Sequence, residues 1–168
     1  MNYSYITFLS NDSYVYGVAL LKVCLTKVSS QYPLSVLTTN GVSNATKEIL
    51  KQLNINIIDV ETINMSDVIK QHNIKVNPEL ANTWKDCWTK FKIFDLIQFD
   101  KIIFLDADIM IQKNLDHLFN LPHMTAALDG EYFNLWPNWP HFNSGCLVIK
   151  PNHQEFINIL NFANNLKE

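Results

Sequence analysis

Arginine is absent from this chain: all 13 basic residues are lysine. Any phosphorylated ligand must therefore be held without a bidentate guanidinium fork, by lysine point charges, backbone N–H groups or a metal ion. Glycine and proline are scarce, at 4 and 6 in 168 residues, and no Ser/Gly-rich stretch, long charge run or internal repeat interrupts the sequence. A low-complexity or repeat architecture is excluded, and with no boundary marked, residues 1–168 read as one globular domain. Cys24, Cys87 and Cys146 are odd in number, widely spaced and set among apolar residues. They suit neither a disulfide framework nor a zinc knuckle, so buried free thiols in a reducing, cytoplasmic setting are expected. No apolar stretch reaches the ~18 residues of a membrane span, and the N-terminus shows no basic region ahead of an apolar core. The net charge of −3 supplies no electrostatic footprint for nucleic acid.

What is present is an alternation of strand and helix patterns. Tyr3 to Leu9 predicts a strand; Asp12 is placed to cap a following helix in which Tyr14, Val18, Leu21, Leu25 and Val28 recur at helical spacing. Leu34 to Thr38 predicts a second strand, Ser43 a cap for a helix through Leu53, and Ile55 to Val60 a third strand. This βαβαβ order implies an α/β, doubly wound, mainly parallel sheet. The pattern weakens from Glu61 to Asn82, with a short helix near Ser66 to His72. Trp84, Cys87, Trp88, Phe91, Phe94 and Ile97 then predict an amphipathic helix feeding a strand at Lys101. A helical turn at Leu115 to Asn120, strands at Met124 to Leu128 and Leu147 to Lys150, and a helix from Glu155 to Leu166 complete the chain. Between the last strands, Glu131 to Phe142 carries two of the four tryptophans and three further aromatics, a surface that suits sugar rings or bases as well as a packed lid.

Lys101-Ile-Ile-Phe-Leu-Asp106-Ala-Asp108 concentrates the chemistry. With ten aspartates in the chain, one Asp-x-Asp pair could arise by accident. Its context separates it from chance: Ile102 to Leu105 has the composition of a strand buried on both faces, and ligands of open α/β sheets bind beyond the carboxyl ends of such strands. Alternation along an extended chain would point Asp106 and Asp108 to the same side. Two carboxylates at close range call for a cation, and hard oxygen ligands suit magnesium or manganese.

Three segments, Thr7-Phe-Leu-Ser-Asn-Asp-Ser-Tyr14, Phe104-Leu-Asp-Ala-Asp108 and Phe142-Asn-Ser-Gly145, resemble in order and separation the landmarks of glycogenin-like glycosyltransferases, family 8, over residues 3 to 165. The resemblance implies a GT-A fold, a Rossmann-like mixed sheet with mainly parallel strands flanked by helices. It further implies a UDP-sugar donor, UDP-glucose or UDP-galactose, Mn2+ or Mg2+, and retention at the anomeric carbon. Carried over by position, Phe8, Ser10, Asn11 and Tyr14 surround uracil and ribose, and Lys90, in a Thr-Lys pair, contacts the nucleotide sugar. Asp106 and Asp108 ligate the metal, Ala107 lies with them along the nucleotide, and Asn143 and Ser144 face the donor hexose. The acceptor is a sugar or glycoside. The family's Asp-Gln and His-x-x-Gly-x-x-Lys segments have no counterpart in these residues, which leaves His141 as a substitute ligand to test; Asp129, ahead of the aromatic segment, reads as an acceptor or donor sugar contact or as a solvated loop aspartate. Two other readings stay open: a UDP-sugar-binding domain with lost or very weak catalysis, and a metal-dependent nucleotidyltransferase or phosphohydrolase.

Overall fold

The computed structural model describes residues 1–64, 67–76, 78–79, 86–128 and 142–165. Six strands form one sheet in the order β3-β2-β1-β4-β6-β5: β1 (Tyr3–Leu9), β2 (Leu34–Thr38), β3 (Asn56–Asp59), β4 (Lys101–Leu105), β5 (Thr125–Leu128) and β6 (Phe142–Ile149). β1 pairs in parallel with β2 and β4, and β2 with β3, whereas β6 runs antiparallel to β4 and β5. The sheet is therefore mixed and mostly parallel, as expected. Its order reverses between β1 and β4, where open α/β sheets leave a ligand crevice.

Alternation along the central strands supplies both cores. Tyr5 and Leu9 of β1 with Ile103 and Leu105 of β4 pack against Val18 and Leu21 of α1 (Val15–Lys27) and Leu50 of α2 (Asn44–Gln52). Ile6 of β1 with Ile102 and Phe104 of β4 face the other way, onto Ile93, Phe94 and Phe156, the last on α4 (His153–Asn164). Every residue from Ile102 to Leu105 is at most 1% exposed, so β4 is apolar without alternation because both faces are covered. The segment after β3 carries α3 (Asp67–Val76).

Several expectations are corrected. The segment foreseen as an amphipathic helix is a 3₁₀ helix, Cys87–Asp95. Its aromatics fall every third residue, Trp88, Phe91 and Phe94, and a three-residue turn aligns that stripe where a 3.6-residue turn would rotate it away. Ile97 lies beyond it and is exposed. Asp12 does not cap α1: Asn11 Oδ1 takes the Ser13 N–H at 2.9 Å at the head of a 3₁₀ turn, and Asp12 Oδ1 instead accepts from Ser43 N at 2.9 Å. Ser43 caps α2 as foreseen, through Thr46 N at 3.2 Å. Tyr14, placed in the helical stripe, is exposed. Cys24 is buried, but Cys87 is exposed. The last strand, expected at Leu147 to Lys150, begins five residues earlier at Phe142, so Asn143 and Ser144 lie within β6. Trp84, most of the aromatic segment from Glu131, Asp129 and His141 lie outside the described residues. No helix among the described residues is long and apolar enough to cross a membrane.

At the amino ends of the strands, Asp116 anchors the sheet to the turn after α1. Its carboxylate accepts from Tyr5 Oη and Ser30 Oγ at 2.7 Å and from Gln31 N at 2.9 Å. Burial pushes this carboxyl up, but these hydrogen bonds outweigh it and hold the group below the usual carboxylate range. Because the folded state favours the ionised form, the stabilisation is complete above the unfolded pKa of about 4 and is lost as pH falls through the lower folded value. Asp116→Ala is expected to cost about 2 kcal/mol at pH 7, since the buried Tyr5 hydroxyl loses its acceptor. Urea denaturation of both proteins at pH 7 and in acid checks this: the gap should narrow in acid.

Candidate active site

The strand ends carry the polar residues. β4 stops at Leu105, and Asp106, Ala107 and Asp108 form a turn closed by Ile109 N–H on Asp106 O at 3.3 Å. Both carboxylates thus sit on the turn, not on a strand, and Asp106 feels the charge of Asp108. Asp106 N–H donates to Gly145 O at 2.9 Å, which carries the β4–β6 ladder one residue beyond the strand. Asp106 is half-buried and Asp108 is exposed. Burial pushes the Asp106 carboxyl up, Lys90 pulls it down, and the charge of Asp108 pushes it up again, leaving it above the usual range. A cation between the pair would relieve that cost.

Lys90 reaches this turn from the 3₁₀ helix. Its Nζ donates to Ser144 Oγ at 2.8 Å and forms an ion pair with Asp106 Oδ1 at 3.6 Å. Thr89, its neighbour, is fully buried and accepts from Ile63 N at 3.0 Å, which fixes the helix that presents Lys90. Asn143, on β6, turns its carboxamide oxygen back to Gly145 N at 2.7 Å. A Cβ at Gly145 would come within 2.8 Å of that oxygen and 3.0 Å of Asp106 Oδ2, so any side chain here would displace both groups.

The neighbouring wall is the end of β1. Phe8 is half-buried against the second core cluster, Ser10 is half-buried, and Asn11 and Tyr14 are exposed. Ser10 O accepts from Thr39 Oγ1 at 2.8 Å, pinning this turn to the loop after β2. Two close backbone approaches lock the walls together: a Cβ at Gly17 would overlap Ala107 O, and one at Gly41 would overlap Ser10 O. The structure therefore joins Lys90, Asp106, Asn143 and Ser144 into one cluster, while Phe8 lies near the end of β1, the strand next to β4, and Ser10, Asn11 and Tyr14 follow it in the chain. Gly17 was not singled out in the sequence, because its role depends on which loop α1 touches. Phe104, whose ring lies 5.4 Å from Lys90 Nζ, reads in sequence only as core.

The donor set fits a hard divalent cation: two carboxylates on one tight turn, with no cluster of three or more His, Cys, Asp or Glu among the described residues. Magnesium and manganese are commonly held by one or two carboxylates, with water and phosphate completing the shell.

A mixed, mostly parallel sheet reversing at β1/β4, with an acidic turn, a lysine and hydroxyl and amide groups at the crevice, has the GT-A fold of the solved structures it resembles. The chain belongs to glycosyl transferase family 8, whose model matches residues 5–168. It is 31% identical over 166 residues to glycogenin-1 of Caenorhabditis elegans, covering 97% of this chain and 35% of that protein. It is 31% identical over 161 residues to glycogenin-1 of Oryctolagus cuniculus, covering 95% and 45%. With galactinol synthase 1 of Solanum lycopersicum the identity is 28%, over 94% of this chain and 54% of the relative. The chain thus spans less than half the length of the two glycogenins. In fold it is similar to the apo form of the glycosyltransferase GlyE of Streptococcus pneumoniae TIGR4, with a TM-score of 0.62 at 16% identity over 100% of this chain and 41% of that one. It is also similar to the galactosyltransferase LgtC in complex with donor and acceptor sugar analogs, with a TM-score of 0.55 at 17% identity over 97% and 66%.

Proposed function

We propose that this chain is a single nucleotide-sugar-binding domain that moves glucose or galactose from a UDP-sugar to a sugar or glycoside acceptor, with retention at the anomeric carbon. The observation that carries the reading is the junction of Lys90, Asp106 and Ser144 at the β1/β4 reversal in a family 8 chain. Asp106 and Asp108 are the residues that would hold Mn2+ or Mg2+, which when bound neutralises charge on the departing diphosphate. Phe8, Ser10, Asn11 and Tyr14 hold uracil and ribose, with Ala107 along the nucleotide. Asn143 and Ser144 position the hexose while its C1–O bond to UDP breaks and a bond to the acceptor oxygen forms. Lys90 supplies the point charge that a chain without arginine must use near phosphate. A cytoplasmic setting accords with the buried Cys24 thiol.

The test is UDP release from UDP-glucose and UDP-galactose with Mn2+ and a panel of sugar acceptors. Product from one donor establishes the transferase. Tight, metal-dependent UDP binding without product over long incubation would replace it with the binding-domain reading.

A further inference from the structure

Lys90 is the most heavily engaged charge of the site. Its side chain is 17% exposed, its Nζ is bound to Ser144 Oγ at 2.8 Å, paired with Asp106 Oδ1 at 3.6 Å and seated 5.4 Å from the Phe104 ring centre. The ammonium thus rests on the same carboxylate that the proposed cation would use. We propose that Lys90 is a built-in counter-ion that holds the cation's place on Asp106 and passes to the donor diphosphate when the cation arrives. Metal and nucleotide binding are then coupled through this one side chain. The inference rests on the reading of Asp106 and Asp108 as the metal site.

An ammonium and a dication against one half-buried carboxylate repel each other, so binding of either disfavours the other. Lysine suits the exchange: it is a compact charge on a flexible four-carbon stem, and the single hydroxyl of Ser144 holds it far less firmly than a diphosphate would. The Phe104 face keeps the ammonium close to the site while it changes partners. Because coupling is reciprocal, the metal that displaces Lys90 raises nucleotide affinity, and bound nucleotide retains the metal.

Calorimetric titration of MnCl2 alone, and of UDP with and without saturating Mn2+, into wild type and Lys90→Met separates this from a structural role. The Lys90→Met protein is expected to bind Mn2+ about threefold to tenfold more tightly, to bind UDP in Mn2+ about tenfold more weakly, and to show a smaller gain in UDP affinity on adding Mn2+. Ser144→Ala keeps every charge and removes the hydrogen bond that parks the lysine; it is expected to tighten Mn2+ about twofold. A lysine that merely braces the fold would weaken both ligands together. Mn2+ binding no tighter in Lys90→Met and in Ser144→Ala than in wild type overturns the proposal. Absence of Mn2+ uptake by wild type and Asp108→Asn alike overturns the metal reading itself, and this inference with it.

Discussion

Asp106→Asn and Asp108→Asn are each expected to lower UDP-sugar turnover about 100-fold or more, the scale of losing one preorganised electrostatic contact to a developing charge. Each change removes a charge at nearly constant volume, so the loss reports electrostatics and not packing. The two variants should differ in stability. Asp108 is exposed, and its replacement is expected to leave the unfolding free energy within about 0.5 kcal/mol of wild type. Asp106 is half-buried, and burial disfavours its ionised form even with Lys90 beside it, so its replacement by the neutral amide is expected to hold or raise the unfolding free energy. Steady-state kinetics with urea denaturation on the same preparations reads both quantities. Unchanged turnover in both variants would remove the catalytic assignment.

Gly17→Ala carries the second large effect, and its sign is the informative part. Inside an α-helix, alanine for glycine ordinarily adds about 1 kcal/mol of stability. Here the added Cβ overlaps the backbone oxygen of Ala107, which no side-chain rotation can relieve. Either α1 backs away from β4 or the acidic turn moves, and overpacking of that kind costs about 1–3 kcal/mol, enough to cancel or reverse the helical gain. The substitution is expected to give no gain in melting temperature and a loss of up to about 8 °C, on the size scaling for chains of this length, and to lower turnover at least tenfold by displacing Asp106 and Asp108. Thermal melts with kinetics check it. A stabilised, fully active variant would show that the α1 contact does not position the turn.

Much of the frame is readable in the sequence because burial writes itself in composition. The run Ile102 to Leu105 has no polar interruption, since β4 is covered on both faces, and Ser43 three residues ahead of Thr46 announces the cap of α2. What stayed hidden depends on tertiary partners. Trp88, Phe91 and Phe94 fit a helical stripe almost as well as a 3₁₀ one, and only packing on the sheet chooses the tighter turn. The last strand reads in sequence only from Leu147; it begins at Phe142 because Leu128 and Ala127 of β5 lie opposite Phe142 and Asn143, past a break in register at Ala126/Ala127. At the site, the residue types in the Asp-x-Asp and Asn-Ser-Gly segments pointed to the chemistry, but periodicity misjudged how the carboxylates meet. A strand would have set both on one side, two residues apart; instead β4 ends at Leu105 and the turn after it carries them. The pairing of Lys90 with Ser144, 54 positions apart, has no local signature at all.

The central claim is that the turn after β4 binds a divalent cation for a nucleotide diphosphate. Anomalous scattering from crystals grown with Mn2+ and UDP tests it most directly. An anomalous peak bonded to a carboxylate oxygen of Asp106 or Asp108 and to UDP phosphate is the expected result. A peak elsewhere, or UDP bound with both carboxylates engaged only by protein hydrogen bonds, would contradict it.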